Sequence, residues 1–194
     1  VNDPVSLRKI AKAAETIRET IGPDAHLMFD GHGRYDADFA IRIGKIFEPL
    51  DFTFFEEPCQ PEDEEGLAKV AAAIDIPIAT GERLSFLPEF KRLLTRGCAS
   101  IIQPDIGHSC GFGTALKAAR LAEAFNAFVA PHGPMSPVIT TISLHLDAII
   151  PNFLIQERLF LNDWRNDVIT EPLKVENGYI KLNDKPGWGI ELTD

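Results

Sequence analysis

The chain has 194 residues, of which 45% are hydrophobic, enough to form one folded domain or a large part of one. Acidic residues outnumber basic ones by 29 to 19, and the net charge of −10 argues against binding to nucleic acid. No apolar run reaches the ~20 residues that a membrane helix needs, so we expect no membrane partner. The 3 cysteines have no CxxC spacing, and we therefore expect a protein of the reducing cytoplasm.

Helix-like and strand-like segments alternate along the sequence. Residues 5–21 carry apolar side chains at helical spacing, and Gly22-Pro23 ends this pattern. The short apolar run "HLMFD" follows, and residues 36–50 again have helical spacing. The further predicted helices are 62–74, 87–96, 113–125 and 136–150. Short apolar runs between helices predict parallel strands that are buried on both faces.

Each of the six predicted strands ends in an acidic residue or a histidine, at intervals of 23 to 27 residues. These residues are Asp30, Glu56, Glu82, Asp105, His132 and Glu157. Barrel enzymes collect functional groups from the carboxyl ends of many strands, whereas an open sheet concentrates them at one switch point. We therefore predict an α/β fold that is a partial TIM (β/α) barrel of about six βα units.

The expected domain organisation follows from the strand count. A complete barrel has eight strands, so we expect residues 1–161 to be the C-terminal part of a barrel domain whose first strands are absent. Residues 162–194 are rich in Asn, Asp, Gly and Pro, and Asn177-Gly178 predicts a hairpin turn. We expect this tail to pack outside the barrel.

Three carboxylates at successive strand ends indicate a metal site. Neighbouring strands lie ~4.8 Å apart, so Asp30, Glu56 and Glu82 can converge on one point. Their mutual repulsion is relieved by a hard divalent cation, and we predict Mg²⁺. We prefer Glu56 to Glu57 as the ligand because adjacent strand residues point to opposite faces.

The other strand-end residues suggest proton transfer. A carboxylate such as Asp105, bonded to one nitrogen of His132, would fix the tautomer and raise the basicity of the other nitrogen. Glu157 would donate a hydrogen bond if a dry site raises its pKa, or would pair with Arg158. His32 lies two positions from Asp30, so both side chains should face the same space.

Several motifs resemble the enolase superfamily, in its mandelate racemase/muconate lactonizing enzyme-like branch. The matching segments are "FDGHGR", "FFEEP", "IATGERL", "IIQPDIGHSCG", "VAPHGP", "FLIQE" and "PGWGIEL". Within this branch the likeness is closest to galactonate-dehydratase-like acid-sugar dehydratases, which carry the Asp-x-His arrangement found at residues 30–32.

The resemblance implies a role for each candidate site residue. It implies Mg²⁺ ligands at Asp30, Glu56 and Glu82, a base dyad of Asp105 and His132, a general acid at His32, and a contact of Glu157 with the substrate carboxylate. It also implies an N-terminal α+β capping domain, absent from this sequence, that closes over the barrel and selects the substrate. The loop "GHSCGFG" departs from the family pattern of paired glycines, which affects the expected substrate pocket but not the metal site.

We therefore expect a lyase: a Mg²⁺-dependent dehydratase that removes the C2 proton of a galactonate-like sugar acid, eliminates the C3 hydroxyl and yields a 2-keto-3-deoxy acid. The expected partner is this small acid sugar, and we expect a homo-oligomer. A racemase or epimerase of a 2-hydroxy acid on the same scaffold stays open, as does an inactive fragment. An unrelated metal-dependent aldolase or hydrolase would show a Schiff-base lysine or a histidine-rich metal set, and neither pattern is present.

Overall fold

The computed structural model describes residues 3–158 and 164–193. Its contacts divide the chain into two units. The first unit is Val1–Gly81 with Pro88–Ile102, and the second is Glu82–Leu87 with Gln103–Asp194.

Four short strands form the parallel sheet of the first unit. They are β1 (Met28–Asp30), β2 (Phe54–Glu56), β3 (Ile78–Thr80) and β4 (Ile101–Ile102), and they pair in this order. Asp30 is the register partner of Glu56, so the last residues of β1 and β2 lie side by side. The predicted order of parallel strands is confirmed for these four.

The predicted helices before and between these strands are confirmed with small shifts at their ends. They are α1 (Pro4–Ile21), α2 (Ala37–Phe47) followed by a 3-10 turn at Glu48–Leu50, α3 (Glu64–Ala73) and α4 (Leu87–Thr95). Asp36 begins α2 because its side chain accepts the N–H of Phe39. Gly22 ends α1 with φ +79°, a backbone conformation that favours glycine.

Aromatic packing joins α2 to the strands beside it. Phe47 of α2 stacks on Phe52 at a centroid distance of 4.1 Å and meets the edge of Phe29 at 5.0 Å. Phe55 of β2 is fully buried and lies 5.4 Å from Phe29. This apolar cluster fixes the positions of β1 and β2 beneath the residues that follow them.

The prediction that every strand is buried on both faces is wrong for β1. Met28 is 37% exposed, and Asp30 is also exposed, whereas β2 and β3 are largely buried. In the sheet of the first unit β1 is an edge strand with a neighbour on one side only. Side chains at such an edge have fewer groups to pack against.

The second unit contains two long helices, one short strand and a hairpin. These elements are α5 (Gly111–Ala124), β5 (Phe128–Val129), α6 (Pro137–Asp147), a 3-10 helix (Trp164–Val168), β6 (Val175–Glu176) and β7 (Tyr179–Ile180). The predicted hairpin is confirmed: Asn177 and Gly178 both have positive φ, at +52° and +81°, as a type I′ turn requires.

The sixth predicted strand is reduced to one bridge between Val129 and Phe153. The N–H of Val129 bonds the carbonyl of Asn152, and the N–H of Leu154 bonds the carbonyl of Val129. With only these two bonds on one edge, the segment does not form a full ladder. The prediction of a regular strand ending at Glu157 is therefore wrong in this detail.

Trp188 connects the tail to both helices of the second unit. Its carbonyl lies 3.2 Å from Nε2 of His145, and its ring lies 5.2 Å from that of Phe112. The domain boundary predicted after residue 161 lies within 159–163, outside the described residues, and stays a prediction. None of the described helices combines the length and apolarity needed to span a membrane.

Candidate active site

A carboxylate and a histidine are in direct contact in the second unit, as the sequence predicts. Nδ1 of His132 lies 2.5 Å from Oδ2 of Asp105. Both residues follow a short strand by three positions, and the Asp105 side chain is almost completely buried. This contact leaves Nε2 as the nitrogen of His132 that faces the other polar groups of the site.

The loop after Asp105 folds around this carboxylate. Backbone N–H groups of Gly107 and His108 donate to Oδ1 at 2.7 and 2.5 Å, and Sγ of Cys110 lies 3.2 Å from the Asp105 carbonyl oxygen. Burial raises the pKa of Asp105, but the hydrogen bonds from His132 and from these backbone groups outweigh it and lower the pKa overall. Asp105 is therefore held ionised, which orients the imidazole of His132.

Two further carboxylates approach Nε2 of His132. Oε2 of Glu82 lies 3.2 Å away, and Oε2 of Glu157 lies 3.8 Å away. Burial lowers the pKa of His132, but the hydrogen bond to Asp105 and the charges of Glu82, Glu157 and Asp105 raise it to about 9. The imidazole is thus surrounded by negative charge that strongly favours its binding a proton.

Glu157 is held by the loop that carries His132. Its Oε2 accepts the backbone N–H of Gly133 at 3.1 Å. The neighbouring Arg158 donates to the carbonyl of Leu173 at 3.2 Å and lies 3.5 Å from the amide oxygen of Asn166. The contact of Glu157 with the His132 loop favours a position in the site for this carboxylate.

Arg83 is a site residue that the sequence analysis did not single out. Its Nε lies 3.4 Å from Oε1 of Glu82, and its side chain is half-buried. The only sequence signal is its position directly after Glu82 in "IATGERL". The guanidinium thus offsets part of the negative charge of Glu82.

Asp30 and His32 form a pair in the first unit. Oδ1 of Asp30 accepts the backbone N–H of His32 at 2.6 Å, and Oδ2 lies 3.1 Å from Nδ1 of its ring. His32 adopts φ +51°, which turns the chain back toward Asp30. Both side chains are about half exposed, so they face a common, open space as expected.

Gly31 lets the chain pass close to the end of β2. Its N–H bonds the carbonyl of Glu56 at 2.8 Å. A Cβ at position 31 would lie 2.8 Å from the carbonyl oxygen of Glu57 and 3.0 Å from the ring of Phe55. A glycine is needed here because backbone occupies the space that a side chain would take.

Glu57 does not follow the simple alternation that the sequence analysis assumed. Strand β2 ends at Glu56, and Glu57 has φ +37°, so the two side chains are not related by a regular strand. Glu57 is fully buried, and one of its carboxylate oxygens lies within 4.8 Å of a ring nitrogen of His32. Glu57 is therefore close to the Asp30–His32 pair rather than turned away from it.

The predicted site residues are divided between the units. Asp30, His32 and Glu56 belong to the first unit, whereas Glu82, Asp105, His132 and Glu157 belong to the second.

Strand-end carboxylates and a carboxylate–histidine dyad on a βα repeat define the class to which the chain belongs. The sequence model described as "Enolase C-terminal domain-like" matches residues 2–194. The chain belongs to this family of the enolase superfamily, and both the resemblance and the predicted partial-barrel fold are confirmed.

Named relatives and solved structures agree with this assignment. The chain is 33% identical over 190 residues to D-gluconate/D-galactonate dehydratase of Picrophilus torridus, covering 97% of this chain and 48% of the relative. It is 37% identical over 197 residues to D-galactonate dehydratase of Cronobacter sakazakii, covering 96% and 52%. A mandelate racemase/muconate lactonizing enzyme structure from Jannaschia sp. CCS1 superposes with a TM-score of 0.92 at 38% identity, covering 98% of this chain and 49% of that one. The chain thus spans about half the length of these relatives.

Proposed function

We propose that this chain supplies the catalytic residues of an acid-sugar dehydratase, a lyase that converts a galactonate-like sugar acid into a 2-keto-3-deoxy acid. The observation that carries the proposal is the bond between His132 and Asp105, with Glu82 and Glu157 beside the opposite nitrogen. The dehydratases named among the relatives support the same substrate class.

His132 is the proposed general base. Its Nε2 would remove the C2 proton of the substrate, while Asp105 keeps Nδ1 protonated and stabilises the imidazolium that forms. The hydrogen bond to Asp105 raises the basicity of His132, which favours its taking up the C2 proton. Glu157 would contact the substrate carboxylate, where negative charge develops as the C–H bond breaks.

His32 is the proposed general acid. Protonated at its ring, it would donate to the C3 hydroxyl, which then departs as water. Oδ2 of Asp30 lies 3.1 Å from Nδ1 and orients the ring for this role. The enol that results tautomerises to the keto acid, so the overall change is the loss of one water molecule.

The carboxylates at the ends of β1 and β2 fit a Mg²⁺ ion. Asp30 and Glu56 are register partners at the ends of paired strands, and the Asp30 carboxylate is accessible to solvent. Such oxygen ligands are those that Mg²⁺ prefers. We propose Asp30, Glu56 and Glu82 as the ligands. When bound, the ion would withdraw charge from the substrate carboxylate and make the C2 proton more acidic.

The function is tested by a screen of sugar acids in the presence of Mg²⁺, with detection of 2-keto-3-deoxy products. We expect such a product from galactonate or a close relative, and its loss in His132→Asn. An inverted substrate without a keto acid would indicate a racemase or epimerase. If the chain alone is inert, the screen is repeated with this chain in place of the matching half of the Cronobacter sakazakii enzyme. A folded hybrid without turnover would contradict the proposal.

A further inference from the structure

Regular backbone pairing in the second unit is interrupted just before the proposed base. The N–H of Val129 bonds the carbonyl of Asn152, and the N–H of Leu154 bonds the carbonyl of Val129. The next bond of this parallel register would run from the N–H of residue 131 to the carbonyl of Leu154. Residue 131 is a proline and has no N–H to donate, so this bond cannot form.

The side chain of Gln156 bonds the segment at this interruption. Its Nε2 donates to the carbonyl oxygen of Pro131 at 3.1 Å and to that of Glu157 at 2.9 Å. A primary amide carries two N–H groups on one nitrogen, so it can serve both acceptors at once. Gln156 thereby ties the residue that precedes His132 to Glu157.

The burial of this amide indicates that its nitrogen is the important group. Oε1 of Gln156 is buried and has no hydrogen-bond partner within the part of the chain that the structure describes. A buried acceptor left without a donor costs free energy, and an apolar side chain of the same size would avoid that cost. The two bonds made by Nε2 are what an apolar side chain could not supply.

The loop after His132 packs directly against the same amide. A Cβ at position 133 would lie only 3.1 Å from Nε2 of Gln156, so a glycine there allows the close approach. The N–H of Gly133 donates to Oε2 of Glu157 at 3.1 Å, and that oxygen lies 3.8 Å from Nε2 of His132. The distance between the imidazole and the Glu157 carboxylate therefore depends on a loop that Gln156 contacts and bonds.

We infer that Gln156 is a positioning residue, which holds His132 and Glu157 at the spacing needed to act on one substrate molecule. The inference rests on the proposed function, in which His132 removes the C2 proton while Glu157 contacts the substrate carboxylate. Catalysis is sensitive to such geometry, and a misplacement of ~1 Å can lower a rate by about 10². Gln156 donates to backbone carbonyls, so it acts on the reaction through the residues that it holds.

The first test needs neither substrate nor metal. Gln156→Met removes the amide but keeps an unbranched side chain of similar length, and Gln60→Met makes the same change at an exposed position. We expect the amide hydrogen of Gly133 to exchange with solvent at least about tenfold faster in Gln156→Met, because the loop opens more easily. The amide hydrogens of Val129 and Leu154 should change much less, which separates loosening of the loop from a loss of global stability. Exchange detected by NMR measures all three.

The second test is turnover by the hybrid that contains the Cronobacter sakazakii half, measured below its thermal unfolding transition. We expect Gln156→Met to lower kcat by about 10 to 10² with a smaller change in KM, because the spacing matters most in the transition state. Gln60→Met should leave both constants unchanged. Gln156→Glu keeps the shape of the side chain but replaces the donating nitrogen by an oxygen, and it should act like Gln156→Met in both tests.

Two results would overturn the inference. An unchanged exchange rate of Gly133 in the folded variants would show that Gln156 does not hold the loop. Faster exchange with an unchanged kcat would show that the loop contact has no bearing on the reaction. A folded parent hybrid without turnover would contradict the proposed function itself, and the exchange rate distinguishes that failure from a failure of the Gln156 contact. Urea unfolding establishes that each variant is folded before either test.

Discussion

The reactivity of His132 depends on its bond with Asp105. The carboxylate fixes which nitrogen carries the proton, and it is the largest of the effects that raise the pKa of His132. A neutral amide at position 105 would keep the shape but remove the charge. A substitution of Asp105 is therefore the most informative single test of His132 as the base.

We expect Asp105→Asn to lower kcat by about 10² to 10⁴, the usual contribution of general-base catalysis, with a much smaller change in KM. The measurement is steady-state turnover of the sugar acid found by the screen. Cys110→Ser, which changes a neighbouring loop residue but leaves the dyad intact, is the control. A kcat within twofold of the parent in Asp105→Asn would exclude the dyad as the base.

The two adjacent glutamates at the end of β2 can be distinguished by metal binding. We expect Glu56→Gln to weaken Mg²⁺ binding by at least about tenfold. Loss of a group that only orients a metal ligand already weakens binding by about this factor. Calorimetric titration with Mg²⁺ alone measures this, with the exposed Glu62→Gln as the control. If Glu57→Gln weakens Mg²⁺ binding and Glu56→Gln does not, the ligand is the buried Glu57 beside His32. That result would contradict our choice of Glu56.

Asp147 makes the stability of the chain depend on pH. Burial raises the pKa of its carboxyl to about 8, from 3.8. Between these values the unfolded chain releases the proton while the folded chain keeps it, so stability falls as the pH rises from about 4 to about 8. Above pH 8 the carboxyl is ionised in both the folded and the unfolded chain, so stability no longer changes with pH through this group. Arg158 and Asp147 line one cavity, but the pKa of Asp147 is raised even with this arginine in the lining.

Asp147→Asn should therefore gain stability over the parent chain as the pH rises through this window, by no more than about 6 kcal/mol in total. Urea unfolding at pH 4.5, 6 and 8.5 gives the difference in unfolding free energy at each pH. A difference that does not change with pH would mean that Asp147 is solvated or already paired. Asp184→Asn serves as the comparison because its carboxyl is exposed.

At the scale of elements, the site depends on how closely the chain after β1 approaches the end of β2. Gly31→Ala would place a Cβ 2.8 Å from the Glu57 carbonyl oxygen, and we expect a loss of about 1 to 3 kcal/mol. Gly113→Ala is the matched control. Position 113 lies in α5 with nothing within 4 Å, so alanine there should stabilise by up to about 1 kcal/mol. Thermal unfolding measures the stability of both variants. If Gly31→Ala were the more stable of the two, the close approach at position 31 would be contradicted.

Most elements of the fold were predictable from local sequence. The helices follow from apolar spacing and from breakers such as Gly22, and the hairpin follows from Asn177-Gly178. The contact of Asp105 with His132 follows from their positions after strands of one repeat. These features depend on periodicity and turn chemistry, which a sequence displays directly.

Other features depend on backbone geometry that no simple pattern encodes. Glu57 approaches His32 because the chain leaves β2 with a positive φ, which strand alternation does not anticipate. The segment ending at Glu157 forms only one bridge among the described residues, which its apolar pattern does not reveal. The proximity of Arg83 to Glu82 depends on a side-chain orientation that adjacency alone leaves undetermined.

At the scale of the whole molecule, the chain carries both proposed proton-transfer groups, although it spans about half the length of its relatives. We therefore propose that this half supplies the chemistry of the reaction. A hybrid protein tests this assignment.

The most direct measurement is galactonate turnover by a hybrid in which this chain replaces the matching half of the Cronobacter sakazakii enzyme, with Mg²⁺ present. We predict formation of the 2-keto-3-deoxy acid, with loss of turnover in His132→Asn. For His32→Asn we predict that C2 hydrogen exchange with solvent continues while water is no longer eliminated. A hybrid that folds and binds Mg²⁺ but yields no keto acid, or one whose turnover survives His132→Asn, would contradict the account.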